Sequence, residues 1–227
     1  MSYRRNTVAD EGRIERDLAS SGWCWLEPDE AVFARDILAC LGPLLPTQSG
    51  TDHHDLVPYT RKNAPTLSMS AQTGLDAQPR HTDAAFLPRP PRYIALQCLK
   101  VGEGFCPTIL WPIQIRRLSR KRPPILFNSR WVSTAAGHSP MYCYVAEDGE
   151  DGLRIRFDPL SMRLLPSSYW ELHDVEIMLD EYTNRVECIW KEGALLIINN
   201  WTCLHARGEG AVASPSRVLR RWAVGVI

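Results

Sequence analysis

The sequence has no CxxC pair among its seven cysteines, no excess of charge of either sign, no internal repeat and no long apolar run. Each absence narrows the class of protein. The cysteines, at 24, 40, 98, 106, 143, 188 and 203, are odd in number and scattered, which fits a reducing cytoplasm. Lysine plus arginine and aspartate plus glutamate both total 26, so no whole-molecule field draws in nucleic acid or an anionic membrane. Any charge selectivity has to be local. The run ALLII at 194–198 falls far short of the roughly 20 residues that cross a bilayer. The opening MSYRRNTVADEGRIERD is charged throughout, with no apolar segment, and so reads neither as a signal peptide nor as an anchor.

What is present is the composition of an ordinary globular protein. With 227 residues, 44% hydrophobic and 23% charged, the chain can bury a substantial core. No linker divides it, so a single domain over 1–227 is expected. Trp23 to Leu26 reads as a first strand, and Pro28-Asp29-Glu30 opens an amphipathic helix that Gly42 ends. The stretch 44–80 is rich in Pro, Ser, Thr, Gln and Gly and reads as an active-site loop region. Strand-like segments follow at 92–99, 108–111, 141–146, 153–157, 185–190, 194–199 and 218–227, separated by turns such as EDGEDG and KEG. A second helix is expected over Tyr169 to Arg185, where Trp170, Val175, Met178, Leu179 and Tyr182 approximate a 3.6-residue period. The order is mainly β with flanking helices, a barrel or a sandwich.

The chemistry-bearing residues begin at Pro79-Arg80-His81-Thr82-Asp83. In an extended chain His81 and Asp83 point to one face, and a metal can sit between them. A third donor would come from His205, in a short connection after the strand at 194–199. Two histidines and a carboxylate leave three metal positions open, as non-haem Fe(II) oxygenases require. The alternative is that His81 is a turn histidine and His205 a core histidine. Asp52-His53-His54-Asp55 is a competing cluster, read as a solvated loop because adjacent side chains diverge and no strand pattern surrounds it. Near the C-terminus, Arg217, Leu219 and Arg221 would share one strand face, with Arg220 on the other. Such arginines can grip a carboxylate or form a solvated edge.

Taken together, His81-Thr82-Asp83-Ala84-Ala85-Phe86 with Pro90-Pro91 and Thr108-Ile109-Leu110-Trp111, Leu196 to Arg207 with Asn200-Trp201 and His205-x-Arg207, and Arg217 to Arg221 resemble the taurine dioxygenase and clavaminate synthase-like family of Fe(II)/2-oxoglutarate oxygenases. The resemblance covers about half the chain. It implies a double-stranded β-helix (jelly roll), with His81, Asp83 and His205 holding iron. It also implies a Thr108 hydroxyl on 2-oxoglutarate and Arg221 on the distal carboxylate, with Arg217 assisting. The implied reaction consumes 2-oxoglutarate and O2, releases succinate and CO2, and hydroxylates an unactivated C–H of a small polar metabolite such as an amino acid or biosynthetic intermediate. With Asp83 present, halogenation is not expected.

Candidate substrate contacts are Ser68, Ser70, Gln72 and Arg80, and the alternating Arg154, Arg156 and Asp158, whose simpler reading is a solvent face. The rival function is a non-redox metal-binding jelly roll, a cupin-like isomerase or small-molecule binder, needing the histidines but neither Arg221 nor Thr108.

Overall fold

The computed structural model describes residues 11–47, 49–66, 68–135, 138–165 and 169–225. The first ten residues and the last two of the expected C-terminal strand lie outside this set. In chain order the first elements are α1 (Glu11–Ser20), β1 (Trp23–Leu26), α2 (Ala34–Leu41), β2 (His53–Leu56), α3 (Ser70–Thr73), β3 (Tyr93–Lys100) and β4 (Thr108–Pro112). Then come α4 (Ile115–Lys121), α5 (Pro124–Phe127), β5 (Trp131–Ser133), β6 (Met141–Cys143), β7 (Ala146–Gly149), β8 (Gly152–Ile155) and β9 (Met162–Leu164). The chain closes with α6 (Leu172–Asp180), β10 (Val186–Cys188), β11 (Leu195–Asn199), β12 (Cys203–Arg207) and β13 (Val218–Val224). The protein is mainly β with flanking helices, and its strand pairs are antiparallel. No helix among the described residues is long and apolar enough to cross a membrane.

The larger sheet runs β1-β11-β3-β13-β2 and a smaller one runs β10-β4-β12. Leu195 to Ile198 of β11 are completely buried because both faces of the sheet are covered. Leu195 and Ile197 pack with Ile14, Leu18, Ile37, Leu38 and Trp222 on the helical side. Leu196 and Ile198 pack with Ile94, Leu96, Leu110 and Cys203 between the two sheets. An unbroken apolar run is what two covered faces demand of a strand. Each such side chain contributes about 1.5–3 kcal/mol, so a single charge placed at Leu196 would break this layer. A third cluster, around Trp131, Phe157, Val175 and Leu179, joins α4 to α6 and the smaller hairpins.

Several expectations shift. The helix expected from Pro28 begins only at Ala34, after turns at Glu27 to Ala31, and the second is confined to Leu172–Asp180 with a Glu171/Asp174 capping box. Residues 44–80 are not all loop: β2 pairs with β13 and α3 forms a single turn. His205 lies within a strand, β12, rather than in a connection after one. Glu11–Ser20, read only as a charged opening, is a helix that buries Ile14 and Leu18, one turn apart.

Candidate metal centre

His81, Asp83 and His205 come together, with one donor atom from each lying within 4.8 Å of the others. The pairing that joins them is a two-residue bridge. His81 N–H donates to the His205 carbonyl at 3.0 Å and His205 N–H to the His81 carbonyl at 3.1 Å. This sets the two imidazoles side by side, 4.7 Å between ring centres. On its other side β12 pairs with β4, His205 opposite Leu110 and Arg207 opposite Thr108. Paired residues in an antiparallel ladder share a face, so His205, Arg207, Thr108 and Leu110 point the same way, into the space between the sheets.

Asp83 sits in a turn whose next residue, Ala84, has φ 55°. A non-glycine residue in that region costs roughly 1–2 kcal/mol, so neighbouring contacts have to hold it there. Asn200, fully buried, provides them: its Oδ1 accepts from Asp83 N–H at 2.8 Å, and its Nδ2 donates to the carbonyls of Asp83 and Pro91. Thr82 exchanges backbone and hydroxyl bonds with Ile155 and Phe157, and Trp201 Nε1 donates to the Pro90 carbonyl. Arg156 donates to the carbonyls of Ala85, Leu87 and Pro88 at 2.5–2.9 Å.

The donor set fits a divalent cation. His81 Nδ1 lies 3.0 Å from the Pro79 carbonyl, which places the proton there and leaves Nε2 as the free lone pair. That Nε2 is 3.4 Å from Asp83 Oδ1, and His205 Nε2 is 3.8 Å from Asp83 Oδ2. Burial opposes ionisation of Asp83, yet Arg221 and the two histidines hold its carboxyl well below the usual range. Burial likewise works against a proton on His81, but the Asp83 carboxylate outweighs it and raises that imidazole. For His205, burial prevails, with His81 and Arg221 adding to it, and favours the neutral ring a metal needs. Both imidazoles are buried, and His205 Nδ1 has no hydrogen-bond partner among the described residues.

Arg221 of β13 and Arg217, which directly precedes that strand, have different partners. Arg221 places Nε 2.8 Å and Nη2 2.7 Å from the same oxygen of Asp83, Oδ2. Across the strand pair from Arg221 stands His54, whose imidazole is lowered by burial and then by that guanidinium. Arg217 is 5% exposed; its Nη1 donates to Cys106 Sγ at 3.0 Å and its buried Nε has no partner among the described residues. Burial pushes this guanidinium below its ordinary value. Thr108, also buried, accepts from Trp190 Nε1 at 3.1 Å.

The expected substrate residues are held by the protein itself. Arg80 bonds Asp180 at 2.5 Å and the Glu176 carbonyl at 2.6 Å, pinning α6 beside His81. Arg156 is 3% exposed, so neither a solvent face nor a free cation describes it. Arg154 is partly buried beside Glu147. Asp158 closes a turn through Leu160 N–H and the Ser161 hydroxyl. Ser70 meets Arg207 at 3.4 Å, and Arg207 in turn bonds the carbonyls of Gly74 and Asp76. Ser68 donates to the Pro65 carbonyl, and Gln72 takes part in the turn of α3. Asn200 and Arg156, the two clamps of the Asp83 turn, were not singled out for that task. The Asn-Trp pair in the sequence was the available signal for the first.

No family model and no curated relative matches this sequence. Solved structures do. Asparagine oxygenase in complex with Fe(II), 2S,3S-3-hydroxyasparagine and succinate superposes with a TM-score of 0.70 at 17% identity, over 95% of this chain and 77% of that one. Non-heme iron oxygenase OrfP with Fe and alpha-ketoglutaric acid gives 0.65 at 20% identity, over 87% of this chain and 65% of that one, just under two thirds. OrfP with Fe, succinate and (3S)-hydroxy-L-Arg gives 0.65 at 21% identity, over 86% and 64%. The chain therefore has the fold of these non-haem iron oxygenases.

Proposed function

We propose that the chain is an Fe(II)/2-oxoglutarate-dependent oxygenase built as a single double-stranded β-helix domain over 1–227, with 44–80 bordering the site. The observation that carries this reading is a pair of complementary features between the sheets. One is the convergence of His81, Asp83 and His205. The other is Arg217, a buried cation that meets a thiol through Nη1 and whose Nε has no partner among the described residues. A buried charge without a counter-charge costs several kcal/mol, so Arg217 calls for an anion. The sequence favours Arg221 for the distal carboxylate, with Arg217 assisting. The geometry supports exchanging them, because Arg221 already has Asp83 as its carboxylate.

In this reading His81 Nε2, His205 Nε2 and one oxygen of Asp83 hold the metal, while Arg217 and the Thr108 hydroxyl hold the far carboxylate of 2-oxoglutarate. Bound there, Fe(II) with 2-oxoglutarate and O2 supplies the oxidising power to hydroxylate a C–H bond, with succinate and CO2 as co-products. Leu96, Leu110 and Ile198, buried between the sheets, form an apolar layer that would exclude water there. The substrate is a small polar metabolite, an amino acid or a derivative of one. Support for that class comes from the hydroxyasparagine and hydroxyarginine held in the structurally similar oxygenases. Seven free thiols suit a cytoplasmic protein, and neither nucleic acid nor membrane is expected as a partner.

The test is anaerobic addition of Fe(II) and 2-oxoglutarate. A weak visible charge-transfer band should form, and should be lost in His81→Ala and weakened at equal 2-oxoglutarate in Arg217→Met. Amino acids should then be screened for stimulated succinate release. A native protein that gives no band and releases no succinate overturns the reading.

A further inference from the structure

Arg221 and Asp83 are 138 residues apart in the chain, yet their contact has an unusual form. Both Nε and Nη2 reach one oxygen, Oδ2, at 2.8 and 2.7 Å. A fork-to-fork arginine–carboxylate pair would use both oxygens. Here Oδ1 is left 3.4 Å from His81 Nε2, while the clasped Oδ2 lies farther, 3.8 Å, from His205 Nε2. The two side chains are 17% and 20% exposed, so the pair is well shielded from solvent and salt.

Both ends are fixed. Arg221 lies on β13 with a paired strand on each side, opposite Leu96 of β3 and His54 of β2. The Asp83 backbone is fixed by Asn200. The remaining freedom at Asp83 is in its side-chain torsions, which decide whether one oxygen or two is offered to a bound ion.

We propose that Arg221 is a positioning residue for the metal-ligand carboxylate: it clasps Oδ2 of Asp83, so that the acid serves a bound divalent ion through a single oxygen. The inference rests on the metal-centre reading above and deepens it. A carboxylate bound through both oxygens would take one of the three positions that two histidines and one oxygen leave open. A co-substrate that chelates through two atoms, together with O2, needs all three. The clasp preserves them. Outer partners of metal ligands are typically worth about 10- to 100-fold in metal affinity, and an ordered guanidinium two bonds from the ligand oxygen belongs to that group. This separates Arg221 from Arg217, whose proposed anion is the co-substrate itself.

The test is metal binding without co-substrate. Co(II) is titrated anaerobically into the native chain, Arg221→Lys, Arg221→Met and His81→Ala, following heat and the visible d–d spectrum. The clasp predicts that Arg221→Met binds Co(II) about 10- to 100-fold more weakly with an altered d–d spectrum. Arg221→Lys, which keeps one donor and the charge, should recover part of both. Native affinity and spectrum in both Arg221 variants overturn the proposal, as does tighter binding in Arg221→Met, which would make the arginine a mere competitor for Asp83. If Arg221→Met does not fold, Arg221→Lys decides by the same two readouts. A native chain that takes up no Co(II), or does so as tightly after His81→Ala, faults the metal centre instead of the clasp.

Discussion

Two clusters of histidine and aspartate border the larger sheet, one converging on its inner face and the other split between its two faces. His81, Asp83 and His205 face the space between the sheets, buried and drawn from two distant segments. Asp52 directly precedes the edge strand β2, and His53, His54 and Asp55 follow one another along it, so their side chains alternate across it. The second cluster has one more donor residue than the first and borders an open cleft of about 440 Å³, lined by Phe33, Asp52, His53, Gln97, Arg220 and Trp222. Its acids are already engaged: Asp52 with Arg35 and His53, Asp55 with Arg220. Neither donor density nor concavity selects a metal centre. Convergence on one face distinguishes the candidate centre, with neighbours fixing the tautomer of His81 and the backbone of Asp83.

The largest effects should come from breaking that convergence. His81→Ala or Asp83→Ala should weaken Co(II) binding by more than about 100-fold, since even outer partners are worth roughly 10- to 100-fold. Asp52→Ala and His53→Ala should leave it unchanged in the same titration. Equal losses in both clusters would erase the distinction. Next comes the scaffold of the Asp83 turn. Asn200→Leu leaves an N–H and two carbonyls unpaired in the interior, a loss of roughly 3 kcal/mol. At about 2–4 °C per kcal/mol for a chain of this size, the melting midpoint should fall by about 6–12 °C. Metal affinity should fall with it. Arg156→Met keeps the packing of the stem and removes three carbonyl partners, for about 2 kcal/mol. Calorimetry separates this from a substrate contact, which would raise KM and leave the midpoint in place.

The parts legible in the sequence are those whose signal is local. β1, β3, β4, β11 and β13 were expected within a residue or two, apart from the end of β13, because buried strands are written as apolar runs. The candidate donors were legible because His81 and Asp83 are two residues apart in the sequence and His205 follows an apolar strand. β2 was not, since HHDL has no apolar alternation; its strand state comes from pairing with β13 at an edge. β12 was missed because His205 and Arg207 interrupt its apolar pattern, and their burial is a tertiary fact. Alternation put Arg154, Arg156 and Asp158 on one face but could not say what lay opposite. For Arg156 it was the backbone of the turn that presents Asp83. The roles of Arg217 and Arg221 were hard to order for the same reason, because spacing gives a shared face and not the partner at its end.

The smallest expected effect lies in the outer cluster and sharpens the contrast from the weak side. Arg220 meets Asp55 through both oxygens, at 2.8 and 3.1 Å, a better fork than the inner pair has. Yet the two side chains are 32% and 39% exposed, and water and salt screen them, so the pair is worth about 0.5 kcal/mol at most. The Arg220 hydrogen bonds, against a small opposing effect of burial, lower the Asp55 carboxyl below its ordinary value of 3.8. In the window just below 3.8 the unfolded chain therefore binds a proton that the native one refuses. The contribution is complete above that pH and disappears as pH falls through the native value. Asp55→Asn should thus lower the melting midpoint slightly at pH 6 and low salt, and make no difference either well into acid or at 1 M salt. A loss as large as that of Asn200→Leu, or one that persists in high salt, would mean that the edge strand depends on this pair as the inner site depends on its own.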